Sequence, residues 1–152
     1  MRALVATVEA NVEPLPGMHL LYLQCLPLAR AASPGQFVMV QCGLGHDPYL
    51  RQPLAIHRLT EEGIALCFRP SNQALAALAA RRVGDSVDLL GPCGRGFTLP
   101  SGLSTISLVA RGAGIVPLLS ILDRAPRAVH LVASVPTEAG LYPRELLPRQ
   151  VE

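Results

Sequence analysis

Gly91-Pro92-Cys93-Gly94-Arg95-Gly96-Phe97 is the stretch on which the fold turns, because the hydrophobic pattern before it differs from the pattern after it. Its closely spaced glycines permit backbone angles closed to other residues, as a tight connection between two units requires. Upstream, short apolar runs sit between turn formers: Ala3 to Val12 with partial alternation, Leu20 to Leu26, Phe37 to Cys42, Leu54 to Leu59, Ile64 to Phe68 and Ser86 to Leu90. Runs of this length between Pro-Gly, Glu-Glu-Gly and Gly-Asp turns are strands, and six of them predict a small antiparallel barrel. One helix interrupts them, with Asn72 as its cap and the alanine- and leucine-rich segment to Ala80 as its body, placed to close one mouth of the barrel.

Downstream of Pro100 the pattern becomes strand, helix, strand. Ile106 to Ala110 is a continuous apolar run, a glycine turn follows, and Val116 to Leu122 has Pro117 in its first turn, where the missing N–H is tolerated. Val129 to Ala133 is a second buried-type strand, and Tyr142 to Leu147 reads as a short helix. A strand-helix-strand unit makes a parallel pair. The predicted organisation is therefore a barrel over 1–99 and a partial βαβ nucleotide-binding-type unit over 100–152. Two parallel strands leave apolar faces and an open edge, so a partner or homodimer contact is expected on 103–152.

Composition removes several function classes. Half of the 152 residues are hydrophobic, which is enough for a packed core. The net charge of +2 is carried by arginines without lysine, scattered except at Arg81-Arg82, so there is no basic stripe for nucleic acid. No apolar stretch reaches the roughly 20 residues that span a bilayer, and the amino terminus lacks the pattern of a secretory signal, so a cytoplasmic location is expected. Cys25, Cys42, Cys67 and Cys93 contain no Cys-x-x-Cys pair, so they read as reduced apolar residues and not as zinc or iron–sulfur ligands. His19, His46, His57 and His130 are too dispersed for a metal set, and no Gly-x-Ser-x-Gly elbow supports hydrolase chemistry.

Taken in order, Pro34-Gly35-Gln36-Phe37, Arg51-Gln52-Pro53-Leu54-Ala55-Ile56, Phe68-Arg69-Pro70, Gly91 to Phe97 and Arg111-Gly112-Ala113-Gly114-Ile115-Val116-Pro117 resemble the electron-transfer subunit of the two-subunit dihydroorotate dehydrogenases, within the ferredoxin-reductase superfamily. The resemblance runs to about Leu119. It implies a six-stranded antiparallel Greek-key barrel that binds FAD, followed by a nicotinamide-nucleotide domain. It further implies that electrons pass to an FMN-containing catalytic subunit of pyrimidine biosynthesis.

Carried over position by position, the resemblance places cofactor contacts at Arg51, Gln52, Pro53, Leu54, Ala55, Phe68, Arg69, Pro70, Gln73, Ala74, Gly112 and Gly114. Several depart from the family pattern. Arg-Pro-x-Ser, in which the arginine neutralises pyrophosphate and the serine sits by the flavin ring, is here Gln52-Pro53-Leu54-Ala55, with Arg51 one residue early. A one-residue displacement in a strand turns a side chain to the opposite face. The family's Gly-Thr after the aromatic-Arg segment is replaced around Ser71-Asn72-Gln73, which read either as helix caps or as the start of a helix suited to an anion. Arg111 stands where the glycine run begins, and neither the later nicotinamide-pocket segments nor the carboxy-terminal cysteine cluster occurs. Autonomous NADH binding and an iron–sulfur cluster are not expected.

Two readings follow from different classes. One is an FAD-containing electron-transfer subunit; the other is a cofactor-less structural or regulatory partner of the catalytic chain, suggested because the substitutions fall on ligand positions while turn and packing motifs persist. A third, a piece of a longer reductase, would account for the missing cluster but not for Gln52 or Ala55.

Overall fold

The computed structural model describes residues 2–43, 50–102, 104–124, 128–137, 140–147 and 151. Six strands, β1 (Arg2–Leu15), β2 (Met18–Gln24), β3 (Phe37–Val40), β4 (Gln52–Leu59), β5 (Gly63–Phe68) and β6 (Ser86–Cys93), close into an antiparallel barrel in the order β1-β2-β5-β4-β3-β6. β1 runs three residues beyond the expected Val12. Register irregularities at Val8/Ala10 and Val12/Leu15 break its alternation, which is why its end is hidden in the sequence.

Alternation decides what faces inward. Ala6, Val8, Leu21, Leu23, Val38, Val40, Ile56, Leu66, Val87 and Leu89 form one buried cluster inside the barrel. The expected helix is α2 (Gln73–Ala79), capped by Asn72, whose side chain accepts the Leu75 N–H at 2.8 Å. Its Ala74, Leu75 and Leu78 enter the same core, so it closes a mouth of the barrel. A second helix, α1 (Leu26–Ala31), was not expected. It is six residues long with Pro27 in its first turn, too short to show a helical period, and it contributes Leu28 to the core.

The parallel unit consists of β7 (Thr105–Arg111), a helical stretch over 112–121 containing α3 (Ile115–Leu118), and β8 (Ala128–Ser134). β7 and β8 pair in parallel from Thr105↔Ala128 to Arg111↔Ser134. The inner face, with Leu108, Ala110 and Val129, packs on Ile115, Leu119 and Leu122. On the outer face the register partners Val109 and Val132 are 74% and 58% exposed. The segment expected as a helix over 142–147 holds a single 3-10 turn, Arg144–Leu146.

The two halves are joined at several points. The Phe97 N–H donates to Pro34 O at 2.7 Å, and Gln36 Nε2 donates to Gly94 O at 2.8 Å, so the motif after β6 folds back on the turn before β3. Gly35 N–H in that turn also donates to the buried Ser120 Oγ at 3.1 Å. β5 is buried on both sides: Ile64, Leu66 and Phe68 face the barrel core, while Ala65 and Cys67 pack with Leu20, Val116 and Leu146 outside it.

Candidate functional site

Leu54 and Ile56 of β4 pack into the barrel core, which leaves Ala55 and His57 on its outer side. Arg51, just before the strand, reaches β6, where Nη2 lies 2.8 Å from Asp88 Oδ1 and Nη1 donates to Asp88 O at 3.2 Å. Gln52 goes elsewhere, its Oε1 accepting from Asn72 Nδ2 at 3.4 Å at the start of α2. Arg51 therefore does not share the position of Gln52, in keeping with the face reversal of neighbouring strand residues.

At the end of β5, Phe68 is buried and stacks on His19 with ring centroids 5.9 Å apart. Arg69 and Pro70 are exposed, and Arg69 Nη1 donates to Pro16 O at 2.7 Å in the β1–β2 turn. Gln73 is exposed at the first turn of α2, whereas the Ala74 side chain is in the barrel core.

Between these residues and the glycine turn lies a crevice of about 460 Å³. The barrel side supplies Met18, Cys67, Phe68, Arg69, Ser71 and Leu75; the parallel unit supplies Gly112, Ala113, Ile115, Val116, Val135 and Tyr142. Its walls are mainly apolar with Arg69 and Ser71 as polar points, the usual make-up of a small-molecule site. A more open depression of about 600 Å³ is lined by Glu9, Tyr22, Glu61 and Glu62, whose carboxylates would repel a phosphate. The crevice is the better candidate. Phe68, Arg69 and Gly112 of the expected contacts line it, and Gln52 touches Asn72 next to it. Arg51, Leu54 and Ala74 are directed elsewhere.

Behind the crevice walls is a clasp that the motifs did not point to. His57 is 0% exposed, with Nδ1 2.9 Å from Val116 O and Nε2 2.8 Å from the Tyr142 hydroxyl. Burial, the largest influence, brings its pKa down to about 4, against the opposing hydrogen bond to Val116. Next to it, Arg58 is tied to Asp123 by Nε and Nη2, with Nη2 2.6 Å from Oδ1, and its Nη1 donates to Leu146 O at 3.2 Å. Burial works against the Arg58 charge, but Asp123 outweighs it and raises the pKa. Burial likewise raises the pKa of Tyr142, and pushes the Cys67 thiol up to about 11, so that this crevice cysteine is a neutral thiol at neutral pH. The available signal for the clasp was position: His57 follows Ala55 by two residues on the same strand face.

The residues fit one half of a flavin better than the other. A mainly apolar crevice beside a glycine turn suits a planar ring system. For a pyrophosphate, however, Arg51 is bound to Asp88, Arg69 is bound to Pro16 O, and Asn72 already caps α2. Arg69, exposed at the crevice rim, is the cation nearest to hand. Among the described residues no group of three His, Cys, Asp or Glu side chains is placed to hold a metal ion, and no helix is long and apolar enough to cross a membrane.

No protein-family model matches the chain. Curated relatives do. The chain is 39% identical over 120 residues to the dihydroorotate dehydrogenase B (NAD(+)) electron transfer subunit of Desulforamulus reducens, covering 78% of this chain and 46% of that protein. It is 33% identical over 130 residues to the subunit of the same name from Bacillus cereus, covering 80% and 50% respectively. The chain thus spans about half the length of the curated relatives it matches. Among solved structures, ferredoxin-NADP+ reductase from Plasmodium falciparum superposes with a TM-score of 0.79 at 12% identity, over 99% of this chain and 72% of that one. An NADH-dependent reduced ferredoxin-NADP oxidoreductase, described for flavin-based electron bifurcation, gives 0.78 at 22% identity over 92% and 52%. By sequence the chain is a relative of the electron-transfer subunits of dihydroorotate dehydrogenase B, and by fold it belongs with the ferredoxin-reductase-like proteins.

Proposed function

We propose that the chain is an electron-transfer-type subunit that holds FAD and passes electrons between it and an FMN-containing dihydroorotate dehydrogenase catalytic subunit in pyrimidine biosynthesis. The observation that carries this reading is the apolar crevice in which Phe68 and Arg69 of the barrel face Gly112 and Ala113 of the parallel unit. Bound there, FAD would supply the chemistry: it takes up a hydride as an electron pair and gives electrons up again. The chain's own residues would bind and orient it. Gln52, Pro53 and Ala55 of β4, with Pro70 and Gln73 by the start of α2, would run along the cofactor, while Arg51, Leu54 and Ala74 are turned away from it. Arg69 would face its phosphates, and Gly112 and Gly114 would let the turn backbone approach. NADH binding by this chain alone is not part of the proposal, since the two parallel strands among the described residues, β7 and β8, do not by themselves form the crevice at which nucleotides settle in open sheets. The catalytic subunit, or a second copy, would cover the exposed Val109–Val132 face, and a cytoplasmic location goes with this role.

A second reading, a cofactor-less structural or regulatory partner of the catalytic chain, is favoured by the Arg51–Asp88 pair, which leaves Gln52 where the family has its arginine. The absorption spectrum of the purified protein, followed by titration with FAD, separates the two. Flavin absorbance or saturable FAD binding supports the first reading, whereas no binding together with co-purification of the catalytic subunit supports the second.

A further inference from the structure

Val116 and Tyr142 are crevice walls on different segments, and one side chain holds both. The Val116 carbonyl only accepts, so His57 Nδ1 carries the ring proton, and Nε2 of the neutral ring accepts from the Tyr142 hydroxyl. The two rings lie 5.4 Å apart at a tilt of 56°. The charged and titratable groups around the clasp are Arg58 on β4, Asp123 after α3 and Tyr142 itself, with Cys67 on β5 and Tyr22 on β2 acting on Tyr142. Asp123 is the carboxylate among them, and it is already engaged by Arg58 and by the Leu59 N–H at 2.7 Å. A second proton on His57 would therefore create a buried cation beside Arg58 without a free counter-charge.

We propose that neutral His57 is the positioning residue of the crevice, fixing Val116 and Tyr142 against the barrel, and that proton uptake at Nε2 is coupled to release of the 140–147 segment. His57 does not line the crevice and acts through the two residues that do. The proposal holds whether or not the crevice takes a flavin.

The full chain has three tyrosines and no tryptophan, so tyrosine emission is directly readable, and histidine ring signals can be followed by NMR in the same samples. The expected result is a His57 pKa near 4, far below the ordinary 6.5, with a change in tyrosine emission over the same acid range. A Tyr142→Phe variant should lose that emission change and shift the His57 pKa upward, because Nε2 loses the donor that stabilises its neutral form. His57→Gln keeps an N–H donor and a carbonyl acceptor but does not titrate, so its tyrosine emission should stay flat through this range. A His57 pKa near 6.5 in the unsubstituted chain, an unmoved pKa in Tyr142→Phe, or an unchanged acid transition in His57→Gln would each overturn the proposal. Should His57→Gln fail to fold, the titrations of the unsubstituted chain and of Tyr142→Phe still decide it.

Discussion

Asp123 closes a two-point ion pair on Arg58 and with the same carboxylate accepts the N–H of Leu59, so one side chain of the parallel unit secures two consecutive residues of the barrel. The side chains are 21% and 10% exposed, which places the pair between a surface salt bridge and a fully buried one. Removing one partner of a buried pair costs about 3–5 kcal/mol because the other charge is stranded, and partial exposure reduces that. Asp123→Ala should therefore lose about 2–3 kcal/mol in chemical denaturation. Asp123→Asn, which can still accept from Leu59, should lose less. A loss below about 0.5 kcal/mol for the alanine variant would mean that the pair behaves like an exposed one.

The Arg51–Asp88 and Gln52–Asn72 contacts bear on phosphate binding. Arg51→Ala should change FAD affinity by no more than about twofold, since its guanidinium is held at β6 and a surface ion pair contributes little. Gln52→Arg places a cation next to the start of α2, and a charge-assisted hydrogen bond worth about 1.5–3 kcal/mol corresponds to roughly tenfold or greater tightening. Isothermal titration of both variants with FAD checks the pair of expectations. The assignment of the phosphate end to this region is wrong if Arg51→Ala weakens binding more than Gln52→Arg strengthens it.

Acid stability follows from His57. Its folded pKa of about 4 lies below the unfolded value near 6.5, so between these values the unfolded chain binds the extra proton and the folded one does not. The contribution is fully present above pH 6.5 and is lost as pH falls towards 4. Its full size is roughly 3 kcal/mol by linkage. Denaturation midpoints across this range should fall more steeply in the unsubstituted chain than in His57→Gln, and parallel curves would contradict the assignment.

Two glycines separate conformational strain from steric contact. Gly35 has φ +83°, and a Cβ there would stand 2.6 Å from the Phe97 ring; Gly84 has φ +90° with nothing within 4 Å. Gly84→Ala should cost about 1–2 kcal/mol for the left-handed backbone alone. Gly35→Ala should cost at least about 1 kcal/mol more, because Phe97 must also move. Equal thermal shifts would show that the Phe97 contact is readily relieved.

The barrel strands and the β7–α3–β8 order were visible in the sequence because apolar runs bounded by Gly and Pro mark short buried strands, and because Asn72 and its alanine-rich follow-on mark a capped helix. α1 escaped notice because six residues do not complete two turns, and the end of β1 because its irregular register erases alternation. At the site, the opposition of Arg51 and Gln52 was foreseeable from strand geometry alone. The commitment of Arg51 to Asp88 was not, since those residues meet only when β4, β3 and β6 lie side by side. The His57–Tyr142 bond, spanning 85 positions, was equally hidden, as neither residue belongs to a recurring motif.

Titration of the purified chain with FAD, run beside the Gln52→Arg variant, tests the central claim that the crevice between Phe68-Arg69 and Gly112-Ala113 is a flavin site. The predicted result is one FAD bound per chain, with weaker affinity in the unsubstituted chain than in Gln52→Arg. Absence of saturable binding by both proteins, with their fold intact by circular dichroism, would contradict it.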